Sequence, residues 1–247
     1  MTVDIQQSLK SLRLGGMANT LQKRHQEAKA NELDYIDFLE LLIDDEITRR
    51  RDNLLNRRMK LAKFPFLRTI DEFDFSFNPG INKKEIMSLL NCNFVHKSNN
   101  VLLIGPPGVG KSHIAISLGI AAIHNGYKVL YKSAFDLVQD MDEAASEDRR
   151  KQYISQLLTA DLLIIDELGM KKMPTNTADD LMEIIHRRYQ NTSTLIATNR
   201  PLEDWGKILG DNVATSAILD RFLDNATIFN MKGKSYRMKN KSKNTKK

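Results

Sequence analysis

Two textures of hydrophobic patterning divide the chain, one of helical period and one of short apolar runs. Up to about residue 70 the period is helical. Ile5, Leu9 and Leu12 keep helical spacing until Gly15-Gly16, where the pattern predicts a break. Ile36, Leu39, Ile43 and Ile47 then recur at three- and four-residue steps, predicting one apolar stripe on a helix that starts near Asn31 or Asp34 and is ended by Phe64-Pro65. Asp71 to Phe77 alternates acidic or polar residues with aromatics and enters the turn signal Asn78-Pro79-Gly80. It reads as a linker that lays its aromatics on the following domain. Ile81 to Leu90 predicts a short amphipathic helix. From Asn100 the texture changes. Val101–Ile104, Val129–Tyr131, Leu162–Ile165, Leu195–Ala197 and Thr227–Phe229 are short apolar runs separated by helical stretches. Five buried strands alternating with helices predict an α/β fold with a parallel five-stranded sheet. The expected organisation is a small helical N-terminal domain at 1–70, a linker at 71–98, the α/β domain at 99–232 and a basic C-terminal tail at 233–247.

Composition changes this picture in three places. A single cysteine, Cys92, excludes an intrachain disulfide, and no Cys/His cluster has zinc-ligand spacing. Met1 to Lys10 has no apolar core of a signal peptide, and the longest near-apolar run, Ile114 to Ile123, is about half a membrane span. The expectation is a soluble cytoplasmic protein with no membrane partner. The net charge of +6 is concentrated at the end: Lys232, Lys234, Arg237, Lys239, Lys241, Lys243, Lys246 and Lys247 face no acid, and the rest of the chain is close to neutral. Such a tail docks on a polyanion or serves as a solvated, disordered end. Arg49, Arg50, Arg51, Arg57, Arg58, Lys60 and Lys63 form a second basic cluster, either for phosphate contact or pairing with Asp44, Asp45 and Glu46 one turn back.

The chemistry is concentrated in the second half. Gly105-Pro106-Pro107-Gly108-Val109-Gly110-Lys111-Ser112 is a complete GxxxxGK[ST] loop between a strand and a helix. Its glycines let backbone N–H groups fold around phosphate oxygens, Lys111 supplies a charge to the β- and γ-phosphates, and Ser112 offers a hydroxyl to Mg²⁺. Leu162 to Ile165 ends in Asp166-Glu167. By itself this is a strand followed by a helix cap; in a phosphate-loop protein Asp166 can hold a Mg²⁺-bound water and Glu167 can polarise the water that attacks the γ-phosphate. Asn199 closes the strand Leu195–Ala197 and either orients that water or starts the turn before Arg200-Pro201. Arg221 is either an arginine finger for a neighbouring subunit's nucleotide or a surface partner of Asp220 or Asp224. Lys171-Lys172 lies just past Glu167. No histidine has ligand spacing, and His113 reads as structural.

A phosphate loop, a strand ending in Asp-Glu, a strand ending in Thr-Asn and a later arginine resemble the AAA+ ATPases. Leu12-Arg13-Leu14-Gly15-Gly16-Met17, Asp71-Glu72-Phe73-Asp74-Phe75, and Leu219-Asp220-Arg221-Phe222 through Gly233-Lys234-Ser235-Tyr236-Arg237 further resemble the IstB family, across about residues 8 to 238. Those proteins are the ATP-binding helpers of IS21-type transposons, related to the DnaC helicase loaders. The resemblance implies an AAA+ domain at 99–232 and ATP and Mg²⁺ as cofactors. It makes Lys111, Ser112 and Asp166 nucleotide and metal ligands, Glu167 the base, Asn199 the first sensor, Arg221 the trans-acting finger and Arg237 the second sensor. It implies self-assembly with ATP on duplex DNA, engagement of a cognate transposase, and Lys171-Lys172 as a DNA contact or a solvated loop. AAA+ proteins usually carry a helical lid after the sheet. Here only a short basic segment follows, so Arg237 has no full lid helix to occupy. Three other functions compete: a helicase loader, which shares the core and differs in partner; a small-molecule kinase, against which Asp166-Glu167 argues; and a scaffold that never turns over, for which an intact Glu167 is a poor fit.

Overall fold

The computed structural model describes residues 4–170, 172–209 and 212–239. Lys171 and the tail lysines from Lys241 onward lie outside them. The chain forms two compact units, 1–57 and 58–247, that divide within one helix.

The first unit is helical. α1 (Ile5–Ser11) and α2 (Gly15–Ala30) are followed by the start of α3 (Tyr35–Ala62). Asp34 accepts from the backbone N–H groups of Ile36 and Asp37, which caps α3 and decides between the two expected starts. Gly15-Gly16 does not interrupt a helix; it opens α2. The break falls at Leu12 to Leu14, where Arg13 adopts φ 61°. Gly16 is required for another reason: its N–H bonds the buried Glu46 carboxylate, and a Cβ there would fall 2.6 Å from the Cα of Glu46. Arg24 forks onto both oxygens of Asp45 at 2.7 and 2.8 Å and holds that carboxyl down to about 2. Arg50 pairs with Glu46 one turn back. The covered face of α3 in this unit carries Leu42 and Glu46, and the stripe Ile36, Leu39, Ile43 and Ile47 is exposed.

The second unit holds a short 3-10 turn at Ile70–Glu72, then α4 (Lys83–Leu89), α5 (Asn93–His96) and β1 (Asn100–Ile104). Next come α6 (Lys111–His124), β2 (Val129–Ser133), α7 (Ala134–Ser146), α8 (Arg150–Leu158) and β3 (Leu162–Leu168). The rest is α9 (Thr175–Arg188), β4 (Ser193–Thr198), α10 (Trp205–Leu209), α11 (Asn212–Asp224), β5 (Ala226–Asn230) and a 3-10 turn at Tyr236–Met238. All five strands are parallel, in the order β2-β3-β4-β1-β5. Alternate residues of a strand point to opposite faces. Leu163 and Ile165 join Leu137, Leu157 and Leu181 of α7, α8 and α9 in one cluster, while Ile164 points at α6. Both faces of β1 to β4 are covered, which is why these strands read as unbroken apolar runs, whereas β5 at the sheet edge buries only Phe229 and departs from the expected five buried strands. Among the described residues no helix is long and apolar enough to cross a membrane.

Arg188 fastens one end of the sheet. Its buried guanidinium donates to the carbonyls of Leu157, Ala160 and Ser193 and to the Thr194 hydroxyl, and burial pulls its pKa down to about 10. Replacing it by Met leaves those buried acceptors unpaired. Arg188→Met should lower unfolding free energy by about 2–4 kcal/mol in urea titration. A loss below ~1 kcal/mol would show that water satisfies them.

Candidate functional site

The loop between β1 and α6 carries the phosphate-binding motif. Gly108 and Gly110 adopt φ 82° and 106°, which side chains disfavour, and Gly110 caps α6 without a side-chain acceptor, so the first N–H groups of this 14-residue helix have no cap. Two segments crowd the loop, the stretch that follows β5 and the linker at Phe73. A Cβ at Gly105 would strike the carbonyl of Met231, one at Gly108 the Ser235 side chain, and one at Gly110 the Phe73 ring. Lys111 is buried and donates to the carbonyls of Gly105 (2.6 Å) and Pro106 (3.0 Å). Burial lowers its pKa, and the charge of Asp166 opposes that shift. A nest of N–H donors, a helix N-terminus and a sequestered ammonium suit a polyphosphate.

Asp166 and Glu167 sit at the tip of β3, where the ladder slips. Ile165 pairs with Ile196 and Leu168 with Thr198, so β3 carries one extra residue there. The bulge puts Glu167 at φ 60°, a left-handed conformation that costs about 1–3 kcal/mol outside glycine. Thr198 holds the bulge, its hydroxyl donating to the Leu168 carbonyl at 2.7 Å. Asp166 is buried; it accepts from the Glu167 N–H at 2.8 Å and from the Tyr131 hydroxyl at 2.9 Å. That carboxylate and burial both push the Tyr131 pKa up, which keeps the phenol a donor.

The strand order places β4 between β3 and β1, so Asn199 just past β4 lies between the carboxylates and the phosphate loop. Its amide donates to the Met170 sulfur at 3.4 Å, and its buried oxygen accepts no hydrogen bond from the described residues. A buried acceptor without a donor fits a site completed by a water or ligand. Arg237 lines the phosphate-loop cavity of about 450 Å³ together with Lys111, Ser112, Phe73 and Phe77. It arrives on the 3-10 turn Tyr236–Met238 rather than on a lid helix. Arg221 does not line that cavity. It is exposed on α11, 2.8 Å from the His186 ring nitrogen. Glu167 and Lys172 line a separate apolar hollow of about 360 Å³ with Phe135 and Met173. His113 packs on Phe73 and contacts the Thr69 carbonyl.

The C-terminal segment is strapped to the linker. Asn78 bonds both the N–H and the carbonyl of Lys234, at 3.0 and 3.1 Å, Phe77 meets Tyr236 edge-on, and Lys239 pairs with Asp74. The Tyr236 N–H then donates to the Gly108 carbonyl at 2.8 Å. Sequence reasoning did not find Tyr131, Thr198 or Asn78. Tyr131 stands two positions before Ser133, the register partner of Asp166, so only the strand pairing exposes it.

These features define a P-loop ATPase fold of the AAA+ class. A family model described as IstB-like ATP binding protein matches residues 7–244, and the chain belongs to that family. It is 37% identical over 235 residues to an IS21 insertion-sequence ATP-binding protein of Pseudomonas aeruginosa, covering 95% of this chain and 89% of the relative. It is also 37% identical over 230 residues to the IS5376 counterpart of Geobacillus stearothermophilus, covering 93% and 92%. Among solved structures, a DnaC helicase loader aligns with TM-score 0.54 and 21% identity over 71% of this chain and 99% of its own. AMPPCP-bound DnaA from Aquifex aeolicus aligns with TM-score 0.57 and 21% identity over 72% and 54%. At that identity the shared property is the fold.

The strap is testable. Asn78→Ala removes both bonds to Lys234, each worth about 1 kcal/mol. Amide exchange at Lys234 and Tyr236 should quicken about tenfold or more while the sheet stays protected. Unchanged exchange would mean that the ring and ion-pair contacts hold the strap alone.

Proposed function

We propose that this protein is an ATP-hydrolysing assembly factor of insertion-sequence transposition, which gathers on duplex DNA with ATP and engages a cognate transposase during target selection. The observation that carries the hydrolytic half is the bulged tip of β3. It sets a buried aspartate and a strained glutamate side by side, with β4 between their strand and the one that leads into the phosphate loop. Near-full-length relatives belonging to insertion sequences favour transposition over helicase loading.

In this reading the loop N–H groups and Lys111 hold the β- and γ-phosphates, Lys111 exchanging its loop carbonyls for phosphate oxygens. Ser112 and Asp166 would hold Mg²⁺, which when bound supplies Lewis-acid neutralisation of phosphate charge. The buried carboxylate of Asp166, fixed by Tyr131, fits such an ion. Glu167 takes a proton from the attacking water, and the unpaired Asn199 oxygen orients it. Arg237 adds positive charge within the same cavity. Arg221, away from its own cavity, serves a neighbouring subunit's nucleotide.

Glu167→Gln should keep ATP binding and slow hydrolysis at least ~10²-fold. Arg221→Ala should also bind and fail to hydrolyse. Mixing the two variants restores interfaces with both groups intact, so activity should reappear and rise with protein concentration. A co-assembled mixture as inactive as its parts would place Arg221 outside the reaction.

For DNA, log affinity in the ATP state should fall steeply with log salt. Deleting residues 240–247 should reduce that slope by about 0.9 for each lysine lost from a phosphate. An unchanged slope would remove the tail from the contact.

A further inference from the structure

The linker is fastened to the helix that opens on the phosphate loop. His113 and Ser117 stand one turn apart on α6 and hold two consecutive linker carbonyls. His113 Nε2 donates to the carbonyl of Thr69 at 2.8 Å, and Ser117 Oγ donates to that of Arg68 at 3.0 Å. A carbonyl only accepts, so Nε2 carries the hydrogen. Ser117 is buried, and His113, the residue next to Ser112, is half-buried.

The held carbonyls lead directly into the 3-10 turn Ile70–Glu72. There the Thr69 N–H donates to the Glu72 carboxylate at 3.2 Å and the Phe73 N–H to the Ile70 carbonyl at 3.0 Å, with the Ile70 side chain buried. The turn delivers Phe73 to the spot where a Cβ on Gly110 would stand. The His113 ring meets the Phe73 ring edge-on, with centroids 5.2 Å apart. One side chain of α6 thus holds both the entry of the turn and the aromatic at its exit.

The cavity of about 450 Å³ beside the loop is lined by two chemically different sets of residues. Lys111, Ser112 and the loop backbone suit phosphate. The linker contributes Phe66, Arg68, Phe73 and Phe77, and the Arg68 guanidinium lies over the Phe66 ring at 5.6 Å. Aromatic faces and a flat guanidinium take a heteroaromatic base by stacking. We infer that His113 is a positioning residue for nucleotide binding, clamping the linker to α6 so that the linker wall receives the nucleoside end of ATP while the loop takes the phosphates. This rests on the reading of Gly105–Ser112 as an ATP site. His113 acts through Thr69 and Phe73, and its hydrogen bond sets where that wall stands.

The test titrates the full chain with a non-hydrolysable ATP analogue and, separately, with inorganic tripolyphosphate, which has the phosphates and no nucleoside. His113→Ala should raise the dissociation constant of the analogue at least about fivefold, the scale of one lost hydrogen bond, and leave that of tripolyphosphate within about twofold. His113→Gln, whose amide nitrogen stands as many bonds from Cα as Nε2, should recover most of the loss. Ser117→Ala, which removes only the second bond, should weaken the analogue in the same sense and by less. In steady-state hydrolysis the effect of His113→Ala should fall on KM, with kcat at saturating ATP within about twofold. Unchanged affinity of His113→Ala for the analogue, an equal loss for tripolyphosphate, a loss confined to kcat, or no recovery by His113→Gln overturns the inference. If the unaltered chain binds neither ligand, the ATP-site reading itself falls. If it binds both and His113→Ala changes neither, that reading stands and only the clamp is lost.

Discussion

The close approach of two distant segments around Gly105–Ser112 governs the site end of the molecule. Met231, Ser235 and Phe73 occupy the space where side chains would stand at Gly105, Gly108 and Gly110. The glycines therefore do two jobs, leaving N–H groups open and letting the strap and the linker pack against the loop. A side chain at any of the three would displace a neighbour, and at Gly108 or Gly110 it would strain the loop as well. Because Arg237 rides on that strap, packing at the glycines also decides whether a cation reaches the cavity.

The second constraint is the slipped register of β3. A regular strand would send Asp166 and Glu167 to opposite faces of the sheet. One extra residue, held by the Thr198 hydroxyl, turns Glu167 out and leaves Asp166 buried under Tyr131. The strained Glu167 sits in a strand paired on both sides, with β2 and with β4.

The N-terminal unit follows a different logic. Its contacts inside one chain are few and polar at their centre: Glu46 on the N–H of Gly16, and Arg24 on Asp45. These fix how α2 meets α3 but spend little of the apolar surface of α3. The aliphatic residues Ile36, Leu39, Ile43 and Ile47 stay exposed while Glu46 is buried.

Element types and the phosphate loop were legible in the chain itself. A strand covered on both faces is written as a contiguous apolar run, and a phosphate loop makes local demands that only Gly, Lys and Ser or Thr meet at that spacing. All five strands and the position of Lys111 follow from such short-range rules. Tertiary structure alone decided the rest. Which face of α3 is covered depended on α2, whose glycine start had looked like an interruption. The bulge that aims Glu167 depends on β4, and the partner of Asp166 on β2. The strap that delivers Arg237 without a lid helix joins Asn78 to Lys234 across 156 positions. Each of these is a contact between segments far apart in the chain, set by strand order and packing, and periodicity within a segment carries no record of it.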